Sequence, residues 1–316
     1  MITEKIEHDY DVKKHKKDIT YLQMEQPVLV VDLENMQSGI PYPLLSAIGS
    51  AVRQIASIGI HNIILKSNDA RVVSEFIKVT DGVTDVNFNI RTDLKSIQSF
   101  LEAKDRPIGR NSLSCCYHGA AEVVEHIGKL PMKIPVILRA DNDNYRYLLE
   151  KIKVITDTNS NTLIIAARLE MNGNNNGTIT WENLDSLYCS IIDLIREKPD
   201  KKILMDYGIL PTRLLTEHPC NGYVCSHNTC HSVKNNLPRR LYINETGNIM
   251  PENISIKPEY YIGNILEGDF IAIMEEYKNS GRHQNFLALA KKVYTKWVQV
   301  CPYRVIHMSD LYMYMS

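Results

Sequence analysis

The sequence predicts an α/β protein in which helices alternate with parallel strands, as in a parallel sheet or a partial barrel of about six (β/α) units. Short runs rich in Val, Ile and Leu, as at residues 28–31 and 60–65, are typical of strands buried on both faces. Between such runs lie segments with apolar residues at helical spacing. This alternation ends near residue 206.

The first half of the chain begins with Pro27, which precedes the predicted strand at residues 28–31. A helix follows at residues 43–57, where apolar residues recur at helical spacing, and Gly59 ends it. The next predicted elements are a strand, a helix, a strand and a helix at residues 60–65, 71–78, 83–90 and 94–102.

The second half continues with a helix, a strand, a helix and a strand at residues 120–128, 134–139, 145–155 and 162–169. Thr180 is an N-cap residue for a long helix that reaches about Glu197. A short strand at 203–205 completes the alternation. The predicted domains are a charged arm (1–24), the partial barrel (25–205) and a Cys-containing domain (206–316) with a hairpin at 240–250 and C-terminal helices.

Composition excludes several classes of protein. The 316 residues carry 36 Lys and Arg against 37 Asp and Glu, so a broad basic surface for nucleic acid is not expected. The N-terminus lacks the apolar core of a signal peptide, and no apolar run reaches membrane-spanning length. Seven cysteines, an odd number with none before Cys115, indicate a reducing, cytoplasmic compartment and no disulfide framework.

Three of the cysteines, Cys220, Cys225 and Cys230, form a C-x4-C-x4-C cluster. This spacing is neither that of a zinc ribbon nor that of a ferredoxin, so it leaves metal binding and metal-free thiols as alternatives. Cys115 and Cys116 are adjacent and their side chains diverge, while Cys189 lies on a predicted helix. For these three thiols we expect packing roles.

Two motifs in the last third of the chain are similar to a known extension. The segment 240–251 carries Ile243 and Gly247 in an I-x-x-x-G-x-I-x-P pattern, and Ile262-Gly263-Asn264-Ile265 follows. Together they resemble the hairpin and the G-N-I signature of SPASM or twitch domains. With the element order over about residues 27–310, the chain resembles peptide-modifying radical S-adenosylmethionine (SAM) enzymes, which implies a TIM-like partial (β/α)6 barrel followed by a SPASM/twitch-like α/β extension.

The sequence departs from this family at two parts of the active site. The family binds its [4Fe-4S] cluster with C-x3-C-x2-C after the first strand, whereas the loop 33–41 has no Cys. The family's Gly-Gly-Glu-Pro turn is replaced by Lys66-Ser67-Asn68-Asp69. We therefore expect a pseudoenzyme without the radical SAM cluster.

The resemblance also assigns the cysteine cluster. Cys220, Cys225 and Cys230 lie where the extension carries its first auxiliary-cluster ligands, and Cys301 lies near its last ones. Four thiolates suit a [4Fe-4S] cluster, and three thiolates with His227 or His231 suit zinc. The family's Pro-Cys after the hairpin is Pro251-Glu252 here, so that ligand is lost.

The expected function is a non-catalytic companion of a radical SAM enzyme in the maturation of a ribosomally made peptide, binding the enzyme, the precursor peptide or both. A homodimer through the Tyr- and Met-rich C-terminus is a further expectation. One alternative is an NYN-like Mg²⁺-dependent ribonuclease that uses Asp32 with Asp69, Asp141 and Asp143. Another is an enzyme that uses only the C-terminal iron–sulfur or zinc site.

Overall fold

A computed structural model describes residues 27–36, 39–93, 111–118, 135–158, 163–167, 178–198, 203–205, 209–211, 237–238, 240–251, 257–300, 303 and 305–307. These residues fall into two compact units. One unit takes its described residues from 118–209, and the other takes them from 24–117 and 210–316. The domain boundaries that the sequence suggests, after residues 24 and 205, stay predictions.

The strands and helices are numbered in chain order. The strands are β1 (Val28–Asp32), β2 (Asn62–Lys66), β3 (Asn87–Thr92), β4 (Asn111–His118), β5 (Val136–Ala140), β6 (Leu163–Ala167), β7 (Ile203–Met205), β8 (Ile209–Pro211), β9 (Arg240–Ile243), β10 (Asn248–Pro251), β11 (Gly263–Asn264) and β12 (Val305–His307). The α-helices are α1 (Tyr42–Gln54), α2 (Ala70–Val79), α3 (Tyr145–Thr158), α4 (Trp181–Glu197), α5 (Phe270–Asn279) and α6 (Arg282–Val300).

The sheet of the larger unit has the strand order β11-β10-β9-β1-β2-β3-β4. Strand β1 is parallel to β2 on one side and to β9 on the other, although β9 follows it by about two hundred residues. Strands β3 and β4 continue the parallel pairing, while β9, β10 and β11 pair antiparallel. The carboxyl ends of β9, β1, β2 and β3 therefore lie at one edge of the sheet.

One face of this sheet packs against α2. Side chains alternate along a strand, so Phe88 and Ile90 of β3 point to one face and Asn89 and Arg91 to the other. Phe88 meets Phe76 of α2 edge to face, with ring centroids 5.8 Å apart. The face that carries Phe88 and Ile90 is thus the one covered by α2.

The smaller unit contains β5, β6 and β7 as neighbouring parallel strands, with α3 and α4 packed together. Asn142 joins the start of both helices, because its Oδ1 accepts hydrogen bonds from the Thr180 backbone N–H and from Asn183 Nδ2. The Asn183 backbone N–H donates to Thr180 Oγ1, which confirms Thr180 as the N-cap of α4.

Most predicted elements in the described ranges are confirmed, including the helix that ends at Gly59, whose φ is 81°. The strand predicted at 83–90 is wrong in its position, because the turn around Gly82 (φ 79°) delays it to Asn87–Thr92. Strand β4 was not predicted from the sequence, because it is rich in Ser, Asn and Cys and contains no β-branched residue. The helices predicted at 94–102 and 120–128 lie outside the described residues. Within the described ranges, no helix has the length and apolar character required to cross a membrane.

Asp269 caps α5 and provides a pH-dependent contact with α1. Hydrogen bonds from the Ala272 backbone N–H and from the Gln54 side chain hold the pKa of Asp269 below its ordinary value of 3.8. Because the folded state lowers this pKa, the stabilisation is present above about pH 4 and is lost as pH falls through the folded-state pKa.

We therefore expect the stability difference between wild type and Asp269→Ala to shrink between about pH 7 and about pH 3. Urea unfolding midpoints at the two pH values measure it. The Asp269→Asn variant is the control, because asparagine caps a helix without ionising. An equal stability difference between wild type and Asp269→Ala at both pH values would contradict a pH-dependent stabilisation by the Asp269 carboxylate.

Candidate functional site

The centre of the candidate site is an ion pair at the carboxyl edge of the larger unit's sheet. Asp32 ends β1, Lys66 ends β2, and the two residues lie opposite each other in the parallel ladder. The Lys66 Nζ donates to Asp32 Oδ2 at 3.1 Å, and the two side chains are only 17% and 5% exposed. Burial removes water from both ions, which costs free energy. A buried charge pair therefore requires its two groups to lie close together with good hydrogen-bond geometry.

Neighbouring strands extend the ion pair into a larger polar surface. Arg91 lies opposite Lys66 on β3, and its Nε donates to Asn89 Oδ1 at 3.3 Å. Tyr242 of β9 presents its ring to Lys66, with Nζ 5.9 Å from the ring centroid. We call this surface the polar sheet face, defined by Asp32, Lys66, Asn89, Arg91, Arg240 and Tyr242.

The polar sheet face is opposite the face that α2 covers. Asp32, Lys66 and Arg91 are in register on neighbouring strands, so their side chains share one side of the sheet. Asp32 and Arg91 are buried, with 3% and 6% of their surfaces exposed. Charged groups in the interior are costly and concentrate where a protein binds or reacts with another molecule. The carboxyl edge of a parallel sheet is also the usual location of ligand sites.

The loop after β1 is fixed at both of its ends. At its start, the Glu34 N–H donates to Asp32 Oδ1 and the Leu33 N–H donates to the Lys66 carbonyl. At its end, the Ile40 N–H donates to Glu75 Oε2 at 2.7 Å. The ion pair therefore also orients the loop that, in the resembled family, binds the radical cluster.

A second contact of this loop reaches the turn between β9 and β10. Asn35 Nδ2 donates to Glu245 Oε1 at 3.3 Å, and both groups are exposed. Because β1 and β9 are parallel neighbours, the loop after one strand and the turn after the other arise at the same edge. The hairpin signature in the sequence thus lies beside the candidate site.

The segment after β2 starts the next helix. Ser67 is fully buried, and its Oγ accepts from the Asp69 N–H at 3.1 Å. Asp69 Oδ1 accepts from the Arg71 N–H at 2.7 Å and caps α2. Where the family has a glycine-rich turn, this chain has a side-chain-bonded helix cap.

The acidic residues of the nuclease alternative also form hydrogen bonds or an ion pair with neighbouring residues of the chain. Asp141 Oδ1 accepts from the N–H groups of Asp143 and Asn144 at the start of α3, and Asp32 binds the Lys66 ammonium. In the described part of the chain, no three His, Cys, Asp or Glu side chains lie close enough to hold a metal ion. The structure therefore offers no described carboxylate cluster for Mg²⁺.

The predicted metal ligands Cys220, Cys225, Cys230 and Cys301 lie outside the described residues, so their site stays a prediction. Cys189 is half-buried on α4, in agreement with a packing thiol. Sequence reasoning missed Arg91 and Tyr242. Their signal was the polar–apolar alternation of β3 and β9, which becomes a site only once the strand pairing is known.

Solved structures provide the comparison for this geometry, since the sequence matches no protein-family model and no curated protein. Streptococcus suis SuiB bound to its precursor peptide SuiA aligns with a TM-score of 0.55 at 11% identity, over 88% of this chain and 70% of that chain. SuiB bound to S-adenosylmethionine gives 0.54 at 11% identity, over 88% and 69%. The protein anSMEcpe with bound AdoMet gives 0.53 at 10% identity, over 87% and 85%.

The chain has a radical-SAM-like fold. This confirms the α/β architecture with a parallel-rich sheet that the sequence predicts. At such low identity the likeness concerns the fold alone. The partial barrel and the SPASM/twitch-like extension stay predictions.

Proposed function

We propose that the chain is a non-catalytic radical-SAM-like protein that binds a precursor peptide and assists a separate peptide-modifying radical SAM enzyme. The observation that carries this proposal is the ion pair between Asp32 and Lys66 at the carboxyl ends of β1 and β2. It lies at the start of the loop where the resembled enzymes begin their chemistry. At that point the Asp32 carboxylate is bonded to the Lys66 ammonium.

The residues at this edge do not fit a radical SAM cluster. The loop 33–41 contains no cysteine, and the Glu and Asn side chains that it offers are hard oxygen donors. Iron–sulfur clusters require thiolates, with histidine as the usual substitute. The carboxylate nearest the loop, Asp32, is already bonded to the Lys66 ammonium. We therefore derive no step through such a cluster.

The segment after β2 supports the same conclusion. In the resembled family a glycine-rich turn approaches the SAM amino group with its backbone. Here the Asp69 N–H is bonded to Ser67 Oγ, and the Arg71 N–H is bonded to Asp69 Oδ1. These bonds hold the segment as a helix cap, so both family-specific parts of the site have a structural role instead.

The peptide-binding part of the proposal draws on the solved relatives. SuiB has been solved with its precursor peptide SuiA, on a fold that aligns with 88% of this chain. We propose that this chain keeps a peptide-binding surface of the same fold, a partial barrel with a SPASM/twitch-like extension, and has lost the reaction. Polar and charged side chains at the sheet edge give such a surface its specificity.

The first test asks for radical chemistry. Protein reconstituted with iron and sulfide under anaerobic conditions, then mixed with SAM and dithionite, is expected to form no 5′-deoxyadenosine above the protein-free control. Product that disappears in the double variant Asp32→Ala/Lys66→Ala would overturn the non-catalytic assignment, because it would place a reaction at this edge. Affinity selection from a pool of random short peptides tests the binding part, and a complete lack of enrichment would contradict it.

We also propose that Cys220, Cys225, Cys230 and Cys301 bind an auxiliary [4Fe-4S] cluster or zinc. The expected result is that a Cys225→Ser variant loses most of the iron or zinc that the wild-type chain retains, as measured by elemental analysis and, for iron, by visible absorption. Cys189→Ser is the matched control, since this half-buried thiol on α4 lies elsewhere in the chain. Equal metal content in the wild type and in Cys225→Ser would argue against the site.

A further inference from the structure

Two cationic side chains lie next to each other at the carboxyl edge of the sheet. Lys66 ends β2, and Arg91 is its register partner on β3. Neighbouring strands are about 4.8 Å apart, and register partners point to the same face. The ammonium and the guanidinium therefore begin from adjacent positions on the polar sheet face, on the side away from α2.

The protein holds these cations in place with groups of its own. Lys66 is oriented by the Asp32 carboxylate at 3.1 Å and by the Tyr242 ring. Arg91 is oriented by Asn89, two residues earlier on the same strand. A side chain that is fixed before a ligand arrives loses little conformational entropy on binding. The arrangement is thus preorganised for recognition.

An ammonium has three N–H donors and a guanidinium has five, and all of them can donate to the oxygens of an anion. The planar fork of arginine matches both oxygens of a carboxylate. On the polar sheet face, Lys66, Arg91 and Arg240 are cationic, and Asp32 is the carboxylate that pairs with Lys66.

We infer that Lys66 and Arg91 form a carboxylate-binding subsite that selects an acidic group of the bound peptide. The inference rests on the proposed function, because it names the peptide chemistry that the same edge recognises. The carboxylate is provided by an Asp or Glu side chain or by the peptide's own C-terminus. Charge-assisted hydrogen bonds of this type contribute roughly twice as much as neutral ones, which is sufficient to set a preference.

The experiment compares acid and amide forms of one peptide. The full-length chain is used to select binders from a pool of random short peptides with free C-termini, and the best binder is resynthesised in three forms. These are the original, a form with each Asp and Glu changed to Asn and Gln, and a form with an amidated C-terminus. We expect one of the two neutralised forms to bind at least about tenfold more weakly, and the form that does so identifies the source of the carboxylate.

Variants then locate the preference on the protein. In Arg91→Gln the acid and amide forms are expected to bind within about twofold of each other, as a double-mutant cycle requires for groups in contact. Arg71→Gln is the matched control, because this exposed arginine on α2 carries the same charge, and it should keep the full preference. If Arg91→Gln unfolds by circular dichroism, the double variant Asp32→Asn/Lys66→Gln replaces it and removes both charges of the pair.

Each outcome decides a separate point. Equal binding of all three peptide forms to the wild type, or a preference that survives in Arg91→Gln and in the double variant, would overturn the subsite while leaving peptide binding intact. A pool from which no peptide is enriched would overturn the proposed function, and the subsite with it.

Discussion

Replacing Lys66 with methionine is expected to lower the free energy of opening of β1 and β2 by about 3 kcal/mol. The substitution leaves the Asp32 carboxylate buried without its cation, and breaking a buried ion pair typically costs 3–5 kcal/mol. The lower end applies because the Lys66 side chain keeps 17% exposure. Hydrogen exchange of the backbone amides of residues 28–32 and 62–66 measures the opening free energy directly.

Two further variants make this prediction specific to the pair. Lys78→Met removes an exposed lysine from α2 and should change the opening free energy little. The double variant Asp32→Asn/Lys66→Met should recover much of the loss, because no uncompensated charge remains. A loss in Lys66→Met no larger than in Lys78→Met would show that the ion pair does not stabilise this edge.

The second large effect is expected for Gly247→Ala in the turn between β9 and β10. Gly247 has a φ of 80°, and an added Cβ would lie 2.8 Å from Asn264 Oδ1. Asn264 also donates from Nδ2 to the Thr246 carbonyl and to Asn248 Oδ1, so any shift disturbs the hydrogen bonds between the turn and β11. We expect a destabilisation of about 2–3 kcal/mol, from backbone strain and the collision together.

Gly82→Ala separates these two causes. Gly82 has nearly the same φ, 79°, but no atom lies within 4 Å of the position of an added Cβ. The backbone strain alone should therefore cost about 1 kcal/mol in this variant. Urea unfolding followed by far-ultraviolet circular dichroism compares the two. Equal losses would mean that the Asn264 contact contributes nothing and that the G-N-I signature is not maintained by this turn.

Local sequence signals predicted the individual elements of the fold well. The apolar run at residues 28–31 and the Thr180 cap correspond to β1 and the start of α4 because each depends on interactions within a few residues. Strand β4 has no such signal, since pairing with β3 rather than its own propensity makes it a strand. The hairpin at 240–250 was predictable from its turn, because Gly247 adopts a left-handed conformation that glycine tolerates.

The sequence by itself determined that the loop 33–41 has no thiol and that the cysteines are confined to residues 115–301, which is sufficient to question radical chemistry. Only the tertiary structure decided that β9 lies beside β1 and that Lys66 lies between Asp32 and Arg91. The physical reason is that composition and residue spacing can be read directly from the sequence, whereas strand register is set by the packing of whole strands against each other. A lysine at a strand end therefore shows its role only through the residues on neighbouring strands.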